Sequence, residues 1–335
     1  MNQEILTTQR PLDRETLVKL VRKWGDVIIP PLVEEACHVF SIPEIDGFIG
    51  YKIESDNAVV FGDPVCAPED KPALAKAFDE ECQQRKLEVV YIIVSKQFAD
   101  WVSENLSGVA IEFGMNFIFD PQNIPTNNTG MRAVRLRNKV KHALNEGVVV
   151  KEYLGEDPKT EKLIEQVAQH WLEKRHGPQI YLSHVNLFKD RYGKRWFYAQ
   201  KGDVVVGLLL LNEVQSHNGW LLNNVMMIND APKGLSELMI ISTLEVLDKE
   251  GCRYVLAGPV PAKKLGKIIG LGGFGSTLIR FAFTIARYVF QLDRHAPFWD
   301  KFQIPSESSY LVFPHKNLGI SSIKALIKAL NASKD

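Results

Sequence analysis

Hydrophobic and polar residues along this chain follow two spacings, one typical of strands and one typical of helices. Trp220 to Ile228 is an apolar run that only Asn223 and Asn224 interrupt, and it predicts a buried strand. From Leu235 to Leu247, apolar residues recur every three or four positions, which predicts a helix. The stretch between them, Asn229–Gly234, is rich in turn-forming residues. The pattern therefore predicts a strand, a turn and a helix in succession.

The same spacings predict the remaining elements. Predicted strands are His38–Ile42, Gly47–Glu54, Ala58–Phe61, Glu88–Val94, Val109–Phe119, Val148–Tyr153, Arg195–Gln200, Val204–Val214 and one beginning at Arg253. Predicted helices are Arg14–Trp24, Ala67–Lys86, Lys96–Leu106, Met131–Glu146, Asp157–Lys174, Ser276–Phe290 and Ser321–Leu330. Each half of the chain contains a hairpin, a strand ending in a turn, a long helix and another strand. We interpret this order as a structural duplication within an α/β or α+β fold.

A polar segment with two prolines, residues 121–130, separates the two halves. It leads into a helix that is rich in arginine and lysine. We predict four parts: an N-terminal tail and helix at 1–30, a first lobe at 31–130, a linker helix at 131–147 and a second lobe at 148–335.

Composition narrows the chemistry. Lys plus Arg and Asp plus Glu each number 40 among 335 residues, so contact with a nucleic acid has to come from a local basic patch. The four cysteines share no metal-ligand spacing, and His170, His176, His184 and His295 have no Cys or Asp partner pattern, so we predict no metal site. There is no signal-peptide pattern and no run of about 18 apolar residues, which predicts a cytoplasmic protein.

The start of the helix at Leu235 is the first candidate site. The first N–H groups of a helix lack partners within it, and together with the helix dipole they favour an anion or an acyl carbonyl. The candidate ligand residues are Lys233, Gly234, Ser236 and Glu237, with Glu237 as a base for a nucleophile. Asn223 and Asn224 point to opposite faces of the strand, so one of them faces the interior or a cleft. The alternatives are an ordinary strand-to-helix turn and a structural amide.

Two further groups carry charge. Arg132, Arg135 and Lys139 share one helix face and could hold phosphates of tRNA or of a coenzyme; the alternative is a solvated linker helix. Arg280 interrupts a strongly apolar helix, and Lys301 follows the apolar pair Phe298-Trp299. These apolar segments could line an acyl-chain channel or lie at a membrane surface, with Lys301 near a lipid phosphate. The alternative is a buried helix of the second lobe. For Gly62-Asp63-Pro64 we predict a structural role.

Several short motifs, in order, resemble the soluble C-terminal catalytic domain of phosphatidylglycerol lysyltransferases. They are GFIGYKIESDNAVVFGDPVCAPED, GMNFIFDP, LRNKVKHALNEGVVV, NDAPKGLSELM, and FWDKF with YLVFP. The resemblance extends from about Phe40 to Pro314. It implies two tandem GNAT-like (acetyltransferase-type) lobes and transfer of an aminoacyl group from aminoacyl-tRNA to a lipid hydroxyl. It implies no cofactor apart from the donor substrate.

The resemblance also carries expectations for particular residues. The family tends to have an Asp and an Arg in the strand before the turn, and Asn223 and Met226 stand at those places here. The family's Asp after the turn corresponds to Glu237. We therefore take Glu237 and Asn223 as catalytic candidates.

Three hypotheses remain open: an acyl- or aminoacyltransferase, an N-acetyltransferase that uses acyl-coenzyme A, and a non-catalytic ligand-binding protein. The expected partners are tRNA and a lipid or the membrane surface, with no stable protein partner.

Overall fold

The computed structural model describes residues 12–25, 37–173, 187–188, 191–290, 296–316 and 318–330. Residues 1–11 of the predicted tail lie outside the described residues, as do His176, His184, His295 and the side chain of Arg287. The chain forms two compact units. The first comprises residues 1–114, 264–285 and 308–332, and the second comprises residues 115–263, 286–307 and 333–335.

The helices and strands are numbered here in chain order. The helices are α1 Arg14–Trp24, α2 Lys71–Gln84, α3 Lys96–Asn105, α4 Gly130–Asn145, α5 Pro158–Glu173, α6 Leu235–Lys249, α7 Gly273–Phe290, α8 Ala296–Asp300 and α9 Ile320–Leu330. The strands are β1 His38–Phe40, β2 Ile49–Glu54, β3 Asn57–Phe61, β4 Glu88–Val94, β5 Val109–Phe119, β6 Val148–Tyr153, β7 Lys194–Lys201, β8 Val204–Val214, β9 Gly219–Met227, β10 Val255–Pro261, β11 Ile268–Ile269 and β12 Ser306–Phe313.

In the first unit, the sheet order is β1-β2-β3-β4-β12-β5, and β11 pairs with β5. Strands β2 and β3 form an antiparallel hairpin, and β3 and β4 are parallel because α2 connects them. Phe78 of α2 and Phe98 of α3 pack with Tyr91 in one core cluster, and all three are buried. Another cluster includes Ile111 and Phe313, with α7 packed against it.

In the second unit, the order is β10-β9-β8-β7-β6. Strands β6 to β9 are antiparallel, and β10 runs parallel to β9 because α6 connects them. Leu209 and Leu211 of β8 pack in the cluster that contains the buried residues of α6, whereas Leu208 and Leu210 pack in the cluster that contains those of α5. The sheet thus has α6 on one face and α5 on the other.

The predicted mixed α/β fold class is confirmed. Both units contain an antiparallel hairpin followed by a strand, a helix and a parallel strand: β3-α2-β4 in the first and β9-α6-β10 in the second. This shared plan is the duplication that the order of elements predicts.

Three features of the architecture differ from the predicted arrangement. Strand β12 was not predicted, because its SESSYLVF segment begins with polar residues and its partner β4 lies far away along the chain. Residues 264–285 and 308–332, which the predicted bounds place in the second lobe, pack with the first unit. Helix α4, which the predicted bounds treat as a linker, packs against α6 in the second unit.

A carboxylate of β5 fastens the segment that contains β11 to the first unit. Glu112 accepts a hydrogen bond from the Lys267 backbone N–H at 2.8 Å and another from the Ser308 hydroxyl. The hydrogen bond from Lys267, assisted by that from Ser308, lowers the pKa of Glu112 below its ordinary 4.5. A carboxyl with a lowered pKa stabilises the fold above its unfolded-state pKa, and this contribution is lost as pH falls through the folded-state pKa.

We therefore expect Glu112→Gln to lower the free energy of unfolding at about pH 7 by about 1–2 kcal/mol. The difference from wild type should shrink at acid pH, below the ordinary glutamate pKa of 4.5, as this carboxylate becomes protonated, first in the unfolded chain and at lower pH in the folded protein. Urea unfolding at both pH values measures this, and Glu104→Gln, an exposed glutamate on α3, is the control. An equal loss of stability at both pH values would contradict the role given to the Glu112 charge.

Candidate functional site

Gly234 stands directly before α6 because no other residue fits there. Its φ of 86° lies in the left-handed region, and a Cβ built on it would lie 2.1 Å from the Lys139 carbonyl oxygen. The start of α6 is therefore pressed against the backbone of α4. Gly234 has a packing role in this contact, and its predicted contact with a ligand stays a prediction.

Glu237 lies in the first turn of α6 and is the centre of a group of three polar residues. Its side chain is 4% exposed. One carboxylate oxygen accepts a hydrogen bond from Lys301 Nζ at 2.6 Å, and the other accepts one from Ser236 Oγ at 2.8 Å. The structure thus brings together three of the predicted site residues.

The charge state of Glu237 follows from these contacts. Burial acts to raise its pKa, but the hydrogen bond and charge of Lys301, with the hydrogen bond from Ser236, outweigh burial and lower the pKa below 4.5. At neutral pH the side chain is a paired carboxylate. A carboxylate with a lowered pKa and both oxygens engaged is a weak base. The geometry therefore favours Glu237 as the group that holds Lys301 over its predicted role as a general base.

Lys301 follows α8 and is held on two sides. Its ammonium lies 3.9 Å from the centre of the Phe298 ring, besides its ion pair with Glu237. Phe298 contacts Trp299 and Phe302, which belong to an aromatic cluster with Phe119. The Lys301 side chain remains 25% exposed. Since an ammonium has three N–H donors, Lys301 is fixed in place while it still has donors for another group.

The two asparagines of β9 are not equivalent. The β8–β9 pairing shifts register between Leu210 and Leu211. Asn224 therefore lies opposite Leu210, and Asn223, at the shift, has no residue of β8 paired with it. Asn224 is 8% exposed and shares the α5-covered face with Leu210 and with Met226, which is fully buried. The side-chain N–H₂ of Asn224 has no hydrogen-bond partner in the described part of the chain. Asn223 is half-buried. The predicted roles of both residues stay predictions.

Helix α4 presents the basic residues expected of it. Arg132, Arg135 and Lys139 are exposed, and no ion pair or hydrogen bond links their side chains to another described residue. Arg137 differs, because it donates hydrogen bonds to the Thr126 and Asn128 carbonyls. Since α4 packs against α6, this basic face belongs to the same unit as the group formed by Glu237, Lys301 and Ser236. Lys233, in the turn before α6, is also exposed.

Arg280 belongs to α7 in the first unit. Its guanidinium donates hydrogen bonds to the carbonyl oxygens of Leu265 and Gly266. These contacts give Arg280 a structural role, and its predicted contact with substrate stays a prediction.

The turn after β3 in the first unit corresponds in position to the turn after β9. Asp63 fills it: its carboxylate accepts hydrogen bonds from the Ser95 backbone N–H at 2.9 Å, from the Ser95 hydroxyl at 2.7 Å and from Lys71 Nζ at 2.9 Å. All these partners are internal to the unit. The contacts agree with the structural role predicted for Asp63.

The pairing of Glu237 with Lys301 is the feature of the site that the sequence does not reveal. The residues are 64 positions apart, and no spacing rule joins them. Among the described residues, no group of three or more His, Cys, Asp or Glu could hold a metal ion. In the same part of the chain, no helix is both long and apolar enough to cross a membrane.

Comparison with known proteins identifies the family. The sequence profile described as "Phosphatidylglycerol lysyltransferase, C-terminal" matches residues 32–303. The chain belongs to this family. The resemblance carried by the short motifs is thereby confirmed. No curated protein matches the sequence.

Solved structures share the fold. The chain superimposes on L-PGS from Bacillus licheniformis with a TM-score of 0.75 at 16% identity, over 99% of this chain and 100% of that one. A C-terminal domain described as belonging to a lysylphosphatidylglycerol synthetase of Agrobacterium fabrum gives 0.71 at 20% identity, over 94% and 95% of the two chains. The superposition on FemX has a TM-score of 0.55 at 10% identity and covers 91% of this chain and 97% of FemX. At these identities the likeness shows the fold.

The ion pair between Glu237 and Lys301 makes a prediction about stability. Lys301→Met leaves a buried carboxylate without its cation and should lower the free energy of unfolding by roughly 2–4 kcal/mol. Adding Glu237→Gln to that variant removes the buried charge and should restore about half of the loss or more. A double-mutant cycle by urea unfolding measures the coupling. Purely additive effects of the two substitutions would contradict it.

Proposed function

We propose that this protein is an aminoacyltransferase that moves an aminoacyl group from aminoacyl-tRNA to a hydroxyl group of a lipid. The observation that carries the proposal is the cation of Lys301, which a buried carboxylate holds beside the start of α6 while it keeps free donors. Membership of the phosphatidylglycerol lysyltransferase family supports the same class of reaction.

The proposed reaction is a direct transesterification. The acceptor hydroxyl oxygen attacks the carbonyl carbon of the aminoacyl ester, and the ester bond to the terminal ribose of the tRNA breaks. The proton of the attacking hydroxyl is transferred to the departing ribose oxygen, so the step is balanced. Negative charge develops on the carbonyl oxygen in the transition state, and a positioned cation stabilises it. Lys301 supplies that cation, and Glu237 acts on the reaction through Lys301 as a positioning residue.

Helix α4 supplies the contact with tRNA in this proposal. It carries five Lys and Arg residues and no Asp or Glu between Gly130 and Asn145. Arg132, Arg135 and Lys139 are exposed and available for phosphates. Binding that depends on phosphates releases counterions, so it weakens steeply as salt increases.

A second candidate is a ligand-binding protein that keeps the fold without the chemistry. The observation that favours it is the place of Met226, which is fully buried in an apolar cluster where the family tends to have an arginine. Such a protein would bind aminoacyl-tRNA or lipid and would not deacylate the tRNA.

Deacylation of aminoacyl-tRNA in the presence of phosphatidylglycerol tests the proposal. We expect Lys301→Met to lower kcat about 100-fold, because one oxyanion donor is lost. Glu237→Gln should lower kcat about tenfold, because Lys301 keeps its charge but loses the carboxylate that positions it. Lys263→Met is the matched control, since Lys263 is a nearby exposed lysine paired with Asp300.

Two outcomes would contradict this mechanism. Lack of turnover by the wild-type protein with any aminoacyl-tRNA, combined with binding of the tRNA, would favour the ligand-binding candidate. A rate that rises through a pKa near 7 and loses this dependence in Glu237→Gln would make Glu237 the general base.

The role of α4 gives a separate prediction. Replacing Arg132 and Arg135 by Glu should raise KM for aminoacyl-tRNA while it leaves kcat almost unchanged. It should also reduce the slope of log affinity against log salt by about 0.7–0.9 for each phosphate contact that is lost. Lys159→Glu with Lys162→Glu, on the exposed part of α5, is the control. An equal loss of affinity in the control would mean that the effect comes from net charge and not from α4.

A further inference from the structure

The first half of α7 exposes aromatic side chains to solvent. Phe274 is 87% exposed and Phe281 is 65% exposed. They are seven positions apart and so lie on one helix face, where Thr277 and Thr284 are also exposed. Exposed phenylalanines that share one face indicate an interaction surface.

The opposite face of α7 attaches the helix to the first unit. Ile279 and Phe283 pack against the cluster that contains Ile111 and Phe313. The helix is therefore anchored to the first unit by one apolar face. Its aromatic outer face is a second apolar surface, which the packing of the unit does not require.

Along the chain, the charged residues from 251 to 292 have a single sign. Between residues 251 and 292 there are six Lys and Arg residues and no Asp or Glu, although the whole chain has 40 of each class. The six are Arg253, Lys263, Lys264, Lys267, Arg280 and Arg287. Within the first unit, Lys264 and Lys267 are exposed in the segment that leads into α7. A surface of this sign favours an anionic partner.

Backbone contacts fix these lysines relative to the helix. Arg280 of α7 donates hydrogen bonds to the carbonyl oxygens of Leu265 and Gly266. Lys264 directly precedes these two residues, and Lys267 directly follows them. Glu112 accepts from the Lys267 backbone N–H, and a Cβ on Gly266 would lie 2.1 Å from a Glu112 carboxylate oxygen. These contacts hold the segment that carries the two exposed lysines against α7, which carries the exposed phenylalanines.

We infer that this surface, formed by Phe274, Phe281, Lys264 and Lys267, docks the protein on an anionic membrane. Phenylalanine side chains enter the boundary between headgroups and acyl chains, while lysines are attracted to anionic headgroups within about a Debye length, ~8–10 Å. The exposed lysines favour an anionic surface, and Glu112, the carboxylate beside them, is engaged by the Lys267 backbone N–H and the Ser308 hydroxyl. The inference extends the proposed function, since it brings the protein to the lipid that would serve as acceptor.

Co-sedimentation with vesicles tests this inference. Wild-type protein should bind vesicles of phosphatidylglycerol and phosphatidylcholine more tightly than vesicles of phosphatidylcholine alone, and high salt should weaken the binding. Phe274→Ala with Phe281→Ala should lower the partition coefficient about tenfold or more. Lys264→Glu with Lys267→Glu should remove the preference for anionic vesicles.

Matched controls come from exposed residues elsewhere. Leu154→Ala removes a side chain that is 84% exposed, and Lys76→Glu with Lys324→Glu reverses two exposed lysines of the same unit. These variants should bind vesicles as wild type does, apart from the small effect of net charge. Circular dichroism of the Phe and Lys variants should match wild type, so that lost binding is not lost folding.

Several outcomes would overturn the inference. One is unchanged vesicle binding in the phenylalanine double variant. Another is that light scattering shows a wild-type dimer, and that the phenylalanine double variant is monomeric but still binds vesicles. The exposed face of α7 would then bind a second copy of the chain. A third is a lysine double variant that loses binding to RNA but still binds vesicles, because the anionic partner of the lysines would then be RNA. Failure of the proposed function is separable, because Lys301→Met should still bind vesicles and the phenylalanine variant should still deacylate aminoacyl-tRNA with a detergent-dispersed acceptor.

Discussion

A carboxylate that is removed from water requires a cation or several hydrogen-bond donors. Glu237 meets this requirement through Lys301 and Ser236, and the requirement ties the start of α6 to the segment after α8. On its other side, α6 is held by the close approach of Gly234 to the Lys139 carbonyl. These two contacts determine where the first turn of α6 lies within the second unit, and the aromatic cluster around Trp299 and Phe302 supports the lysine.

The two units use one plan and complete it in different ways. In the first unit, the Asp63 carboxylate in the turn after β3 accepts hydrogen bonds from Ser95 and from Lys71. In the second unit, the carboxylate lies in the first turn of α6 itself, as Glu237, and it pairs with Lys301, which remains partly exposed. The carboxylate of the first unit is thus engaged by three internal donors, whereas that of the second unit holds a partly exposed cation.

The proposed activity and the proposed membrane surface concern separate parts of the molecule. Lys301, Glu237 and the basic face of α4 belong to the second unit, whereas the exposed phenylalanines of α7 belong to the first. A balanced net charge conceals both basic regions, since 40 cations and 40 anions cancel over the whole chain. Local charge is the relevant quantity for binding a polyanion or an anionic surface, because screening limits its range to about 10 Å.

The sequence by itself determined the local elements, because hydrophobic spacing reflects which face of a strand or helix is buried. The predicted bounds of α1, β4, β6 and β8 match those of the structure. The motifs also determined the family. The tertiary structure decided the features that depend on contacts between residues remote in sequence. Strand β12 inserts beside β4, the register shift in β8–β9 turns Asn224 toward the face covered by α5, and Glu237 meets Lys301 across 64 positions. Each of these is a contact between segments remote in sequence, and local periodicity carries no information about which remote segments meet.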